Sequence, residues 1–171
     1  EKETSSDKKT KITFKDISNV PWAEEAIEEM VAKEIIKGKT ETAFDPKADI
    51  TRAEFAAMIV RMLDYKVDEN SKMQFEDVTK DKWYHEAVKA AFEQGTIKGR
   101  SKTAFDPEGR ITRQEMAVII ANVINKKSAK TPDIQKLSAF TDRTDIADWA
   151  KGEVALVVQE GVISGMGDGR F

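Results

Sequence analysis

The sequence predicts an all-α protein built from tandem helix-loop-helix repeats. Three segments of the chain align with one another, and apolar residues recur within them at helical spacing. No alternating strand pattern of useful length is present. A length of 171 residues with 40% hydrophobic residues suits one folded array.

The repeats are defined by landmarks that keep their register. The first repeat runs from Phe14 to Leu63, the second from Phe75 to Ile124, and the third begins at Phe140. One constant interval separates Phe14, Trp22, Gly38, Phe44 and Arg52 from Phe75, Trp83, Gly99, Phe105 and Arg113. An almost constant interval leads from the second repeat to the third, whose landmarks are Phe140, Trp149, Gly165 and Phe171.

Each repeat is predicted to contain two helices. The first helix runs from Pro21 to about Ile36, because proline is favoured at a first helical position. Gly38, with Gly99 and Gly165, is expected to follow the helix end in the left-handed conformation. The loop Thr-Ala-Phe-Asp-Pro occurs twice and leads to second helices over residues 52–63 and 113–124.

The predicted boundaries follow from these elements. Residues 1–11 are polar and are expected to form a disordered tail or linker. The repeats occupy 12–66, 73–126 and 138–171, and the segments 64–74 and 126–136 are expected to be flexible spacers.

Composition excludes several classes of function. A net charge of −3 argues against a nucleic-acid binder, and no apolar run is long enough for membrane insertion. The absence of cysteine excludes disulfides and thiolate sites. We expect no cofactor and no metal site.

Two short motifs open the second helices. Thr51 with Glu54, and Thr112 with Glu115, have the spacing of a capping box, in which each side chain accepts a hydrogen bond from the other residue's backbone. These four residues are predicted to be structural caps.

The capping box does not account for the arginine that follows each threonine. Arg52 and Arg113 lie at the positive end of the helix dipole, where an acidic residue would be more stable. An arginine beside free backbone donors at a helix start can receive a carboxylate or phosphate. The alternative is an internal salt bridge to a loop acid such as Asp16, Asp49 or Asp77.

Together these patterns resemble the surface-layer homology (SLH) family. The motifs are F-x-D-[VI], W-x-x-x-A-[IV], G-x-x-x-x-x-F-x-P and I-T-R-x-E, and they cover residues 14–171. The resemblance implies a pseudo-threefold assembly of three SLH repeats with ligand grooves between neighbours. It further implies a non-enzymatic protein of the bacterial cell wall or S-layer, extracellular and Gram-positive. Such a protein binds the secondary cell-wall polysaccharide linked to peptidoglycan, at its terminal pyruvylated N-acetylmannosamine.

The resemblance also assigns ligand-binding residues. A pyruvate ketal presents a carboxylate, and the arginines of the I-T-R-x-E motifs are its implied partners. The tryptophans are implied groove residues, with core packing as the alternative, and turn chemistry is the alternative for the aspartates. The implied set is Arg52, Arg113, Trp22, Trp83, Trp149, Asp16, Asp77, Gly38 and Gly99.

The third repeat departs from the family pattern because it stops at Phe171, so its arginine would fall near position 178 or 179. We therefore expect undercovered apolar surface on Val154, Leu156 and Val157 and association between chains through this incomplete repeat.

Three other functions compete with cell-wall anchoring. An enzyme is disfavoured because one histidine and no cysteine leave few nucleophilic or metal-based mechanisms. We expect that histidine, His85, at the surface or in a groove. A calcium site would use Asp142, Asp145 and Asp148, but their spacing is more typical of a turn followed by helix-start acids. A helical protein-interaction scaffold without carbohydrate specificity would not require the arginines.

Overall fold

The structure is a computed structural model that describes residues 14–171. The predicted tail, residues 1–11, lies outside the described residues. The helices of the described part are α1 (Pro21–Ala32), α2 (Arg52–Leu63), α3 (His85–Glu93), α4 (Arg113–Lys127) and α5 (Lys151–Gln159). Short 3₁₀ helices occupy Ile17–Asn19, Ile134–Ala139 and Asp148–Ala150. No strand is present in this part of the chain, which confirms the all-α class.

Contacts divide the described chain into two compact units, residues 14–48 and 49–171. In the first unit, α1 packs against the 3₁₀ helix Ile17–Asn19, and Phe14, Ile17 and Ile27 are buried. Pro21 opens α1, as the sequence predicts, but the helix ends at Ala32 rather than near Ile36.

In the second unit, helices of consecutive repeats pack against each other. Helix α2 packs against α3, and α4 packs against α5. The first pair encloses a core around Phe75, Val88 and Phe105, which are all buried. The second pair encloses a core around Phe140 and Leu156. The second helices of the first two repeats therefore bury the first helix of the repeat that follows.

The prediction of undercovered apolar surface on α5 is wrong. Val154, Leu156 and Val157 are buried. The segment Ile134–Ala139, half of which the sequence places in a flexible spacer, forms a 3₁₀ helix that packs against α5 and buries Leu137. Association between chains stays a prediction, but it has lost this basis.

The segment between α2 and α3 is also fixed to a helix. The Glu93 carboxylate of α3 accepts hydrogen bonds from the Asp68 backbone N–H, at 2.9 Å, and from the Ser71 hydroxyl. The Lys89 ammonium donates to the Asp68 carbonyl at 2.8 Å. Asp68 and Ser71 are therefore bound to α3, whereas the flexibility of residues 64–74 as a whole stays a prediction.

The ends of the first helices follow a shared pattern that differs from the prediction. The left-handed residues are Glu34, Gly95 and Gly161, with φ of 58°, 66° and 69°. At each of these ends the left-handed N–H and the next N–H donate to carbonyls of the last turn, as in a Schellman motif. The assignment of Gly38, Gly99 and Gly165 to this position is wrong.

Gly38 and Gly99 are instead required by close packing. A Cβ atom on Gly38 would lie 2.3 Å from the Phe14 ring, and one on Gly99 would lie 2.5 Å from the Phe75 ring. Both would also approach loop carbonyl oxygens within 2.7 Å. The absence of a side chain therefore allows the loop to lie against the first phenylalanine of the repeat.

None of the helices in residues 14–171 has the length and apolar character that crossing a bilayer requires.

The left-handed backbone at Glu34 costs conformational free energy that a glycine in this position would not lose. We expect Glu34→Gly to raise the free energy of unfolding by about 1 kcal/mol, because a side chain in the left-handed region crowds the backbone. Gly95→Ala should lower it by a similar amount, since its surroundings are open and only the conformation opposes the methyl group. Thermal unfolding followed by circular dichroism measures both; shifts of the same sign would contradict this explanation.

Candidate ligand-binding site

The Arg52 side chain joins the start of α2 to the loop of the second repeat. Its Nε donates to the Phe105 carbonyl at 2.9 Å, and its Nη2 donates to the Lys98 carbonyl at 3.0 Å. Nη1 donates to the Glu115 carboxylate at 2.9 Å. The guanidinium carbon lies 4.7 Å from the centre of the Phe105 ring. Arg52 therefore makes the internal salt bridge that the sequence offered as an alternative, although its partner is Glu115.

Burial and charge act on Arg52 in opposite directions. The residue is buried, and this desolvation lowers the pKa of the guanidinium from its ordinary value. The Glu115 carboxylate opposes that shift. Because an arginine keeps its charge over the whole physiological range, the site holds a buried, paired cation.

The backbone donors at the start of α2 are occupied, so the expectation of free donors there is wrong. The N–H groups of Arg52 and Ala53 donate to the carbonyls of Gly109 and Pro107, both at 2.9 Å. Capping boxes are present at both second helices. In the first, the Thr51 N–H donates to the Glu54 carboxylate at 2.8 Å.

Arg113 repeats two of the contacts of Arg52. Its Nη2 donates to the Ser164 carbonyl, and its guanidinium carbon lies 5.0 Å from the centre of the Phe171 ring. Ser164 and Phe171 are the third-repeat counterparts of Lys98 and Phe105. Arg52 and Arg113 therefore each bind the loop of the following repeat.

A cavity of about 380 Å³ lies beside Arg52. It combines residues from three repeats, because Arg52 comes from the first, the loop of Gly99 and Arg100 from the second, and Trp149 from the third. Helix α4 contributes Glu115, together with Asn122. The cavity therefore contains two guanidinium groups beside one carboxylate and one indole.

Arg100 is a cation of this cavity that the sequence analysis missed. Its side chain is 44% exposed, and it pairs with Asp106 at 2.8 Å and with Glu115 at 3.2 Å. A signal was available, because Lys39 occupies the equivalent position of the first repeat. The resemblance to the family implies the I-T-R-x-E arginines instead.

The three tryptophans are exposed, so core packing does not explain them. Trp22 is 87% exposed, Trp83 is 62% exposed and Trp149 is 58% exposed. Trp149 lines the cavity, and Trp83 makes an edge contact with Tyr84 at a centroid distance of 5.4 Å. Exposed indole rings are suited to contact apolar ligand surfaces.

Asp16 and Asp77 bind the backbone of their own repeat's loop. The Asp16 carboxylate accepts hydrogen bonds from the N–H groups of Phe44 and Asp45, at distances from 2.7 to 3.1 Å. Asp77 binds Phe105 and Asp106 in the same way. This turn chemistry is the alternative that the sequence analysis gave for both residues.

The residues of the competing functions occupy other places. His85 is buried, so the expectation of a surface or groove position is wrong. Its Nδ1 lies 2.7 Å from the Glu86 carboxylate. Asp142 accepts a hydrogen bond from the Phe171 N–H at 2.9 Å, as a turn residue does. Among the described residues, no group of three or more acidic or histidine side chains is arranged to hold a metal ion.

We expect Arg52→Ala to lower the free energy of unfolding by roughly 3 kcal/mol, because it leaves the largely buried Glu115 carboxylate without its buried partner. Arg110→Ala is the matched control, since the Arg110 side chain is 73% exposed in its pair with Asp49 and should contribute less than about 1 kcal/mol. Chemical denaturation measures both; equal losses would contradict a structural role for Arg52.

The Asp16 carboxylate should give the loop a pH-dependent stability. Hydrogen bonds from Phe44 and then Asp45 hold the pKa of Asp16 below its ordinary value of 3.8. Because the folded pKa is the lower one, the contribution is complete above the ordinary pKa and is lost as the pH falls through the folded one. We expect Asp16→Asn to have a lower melting temperature at pH 7, with a difference that closes only below about pH 4. A difference that closes at higher pH would contradict this assignment.

Comparison with known proteins identifies the repeats. A family profile described as the S-layer homology domain matches residues 13–56, 74–117 and 139–171. The amylopullulanase of Thermoanaerobacterium thermosulfurigenes is 37% identical over 153 residues, which are 90% of this chain and 8% of that protein. The exoglucanase XynX of Acetivibrio thermocellus is 36% identical over 92% of the chain and 14% of that protein.

The S-layer protein sap of Bacillus anthracis is 30% identical over 158 residues, which are 91% of the chain and 19% of that protein. The chain thus spans less than a fifth of the length of each of these three relatives. The shared part is a non-catalytic module that recurs beside different enzymes and in S-layer proteins. The chain belongs to the S-layer homology family, whose domains anchor S-layer proteins and cell-surface enzymes to the cell wall.

Proposed function

We propose that this chain anchors a protein to the bacterial cell wall by binding secondary cell-wall polysaccharide without a covalent bond. The observation that carries this proposal is that the same module occurs in proteins of different kinds. It is shared by two proteins named as enzymes and by one named as an S-layer protein, so a common place at the cell surface explains its presence better than a common reaction does.

The cavity beside Arg52 is the proposed polysaccharide site. Three cationic residues line it, Arg52, Lys98 and Arg100, and they outnumber the carboxylates of Glu115 and of Asp106, which pairs with Arg100, so the charge favours an anionic ligand. The half-exposed Trp149 ring offers a flat apolar surface to the C–H face of a sugar. A sugar that carries one carboxylate suits both features, and we propose the terminal pyruvylated N-acetylmannosamine of a Gram-positive wall polymer.

Equivalent positions extend the proposal to the other repeats. The repeats occupy 12–66, 73–126 and 138–171, and we propose that they form a pseudo-threefold assembly with a groove between neighbours. The remaining groove residues of the proposal are Arg113, Trp22, Trp83, Asp16, Asp77, Gly38 and Gly99. For the two aspartates and two glycines the role is indirect, because they hold the loop that borders the groove.

The test is sedimentation of the purified chain with cell walls before and after removal of the secondary polymer. Walls from the bacteria that carry the relatives named above are the probes. We expect the chain to sediment with intact walls and to stay in solution with stripped ones. Equal sedimentation with both would favour a protein-interaction scaffold or peptidoglycan binding and would reject the proposal.

The charge of the ligand is tested separately. We expect polymer treated with mild acid to remove pyruvate to bind more weakly, by about tenfold or more, because a charge-assisted hydrogen bond is lost. Added salt should weaken only the binding of untreated polymer, since screening acts on the charged pair. Calorimetry on the purified polymer gives both results, and equal affinity for the two polymers would mean that sugar shape alone is recognised.

A further inference from the structure

Two arginines border the same cavity, but they differ in exposure and in how many of their nitrogens already donate to protein acceptors. The Arg52 side chain is 6% exposed, and each of its three nitrogens already donates to an acceptor of the protein. The Arg100 side chain is 44% exposed, and its ion pairs use Nε and Nη1. We propose that Arg100 makes the direct contact with the ligand carboxylate and determines the preference for an acidic sugar, whereas Arg52 is a positioning residue. This inference rests on the proposed function.

The repetition of the Arg52 contacts supports its positioning role. Arg52 and Arg113 each stack on a phenylalanine of the following loop and donate to a carbonyl of that loop. A contact that recurs in this way at two successive junctions holds the repeats together whether or not a ligand is bound. The loop that Arg52 holds is the one that carries Arg100.

Glu115 connects the two arginines. One of its oxygens, Oε1, lies 2.9 Å from Arg52 and 3.2 Å from Arg100. The other oxygen, Oε2, accepts the Thr112 N–H at 2.8 Å and so belongs to the cap of α4. Glu115 is therefore fixed from both sides and sets the position of the exposed guanidinium.

Asp106 is the second partner of Arg100, and it is the one that a ligand can replace. Its side chain is 47% exposed, compared with 12% for Glu115. A carboxylate from the ligand would compete with Asp106 for Arg100 in a solvated position. Removing the charge of Asp106 should therefore strengthen binding, whereas removing Arg100 should weaken it.

The position of Arg100 varies among the repeats of this chain. Lys39 occupies the first repeat, Arg100 the second and Met166 the third. The cation is thus absent from the third repeat, although the neighbouring Gly165 is kept. The preference for an acidic sugar is accordingly expected to differ from one groove to another.

The experiment measures affinity by calorimetry with purified wall polymer, both intact and stripped of pyruvate. Arg100→Ala should bind the intact polymer about tenfold or more weakly and the stripped polymer as the unsubstituted chain does, with an unchanged melting temperature. Asp106→Asn should bind the intact polymer several-fold more tightly, because asparagine tolerates the left-handed conformation of residue 106 (φ 61°) without the competing charge. Arg110→Ala, an arginine on the same loop, is the matched control and should change neither affinity.

Arg52→Ala should behave differently from Arg100→Ala. It should lower the melting temperature and weaken the binding of intact and stripped polymer equally, because the loop that carries Arg100 loses its hydrogen bonds to Arg52. Arg52→Lys keeps the charge and should restore only part of the melting temperature and part of the affinity. Arg100→Ala with full affinity for intact polymer, or with equal losses on both polymers, would overturn the assignment. So would an Arg52→Ala variant that melts normally and loses only the acidic polymer. Failure of the unsubstituted chain to bind either polymer would instead reject the proposed function.

Discussion

The second unit depends on a buried guanidinium that satisfies acceptors from two parts of the following repeat. Arg52 binds the carbonyls of Lys98 and Phe105 and the carboxylate of Glu115. A buried charge is costly unless it is paired and hydrogen-bonded, and here each of its nitrogens has an acceptor. This arrangement explains why a cation occupies the positive end of a helix: the side chain is selected for the loop it holds rather than for the helix dipole.

The loop that Arg52 holds is shaped by its own repeat before it meets the helix. Asp77 fixes the backbone at Phe105 and Asp106, and Asp106 adopts a left-handed conformation with φ of 61°. The same conformation occurs at Asp45 in the first repeat, where Asp16 plays the part of Asp77. With the backbone fixed in this way, carbonyl groups of the loop reach the start of α2 and Arg100 lies at the edge of the cavity. Local turn chemistry therefore prepares the surface on which the proposed ligand binds.

Features that depend on neighbouring residues were predictable. The starts of α1, α2 and α4 follow from a proline and from two capping boxes, because these signals act within one helical turn. The end of α1 was not predictable, because Glu34 adopts the left-handed conformation that is expected of glycine. The ends of α3 and α5 do have a left-handed glycine, but it is Gly95 or Gly161 rather than the predicted Gly99 or Gly165. Gly38 and Gly99 are needed for the approach of the phenylalanine that opens their own repeat, Phe14 or Phe75. A whole helix separates each glycine from that ring along the chain, so rules based on neighbouring residues do not predict this contact.

The repeat, the helical class and the capped helix starts were predictable without a structure, since each of these follows from the chemistry and spacing of neighbouring side chains. The pairing of Arg52 with Glu115, the burial of Val154, Leu156 and Val157, and the cavity that Arg100 shares with Trp149 became visible only in the folded chain. These features join residues from different repeats, and the packing of α2 on α3 and of α4 on α5 sets their distances. A pattern read along the chain gives the parts of each repeat, whereas the partner of a charged side chain is fixed only when the repeats pack.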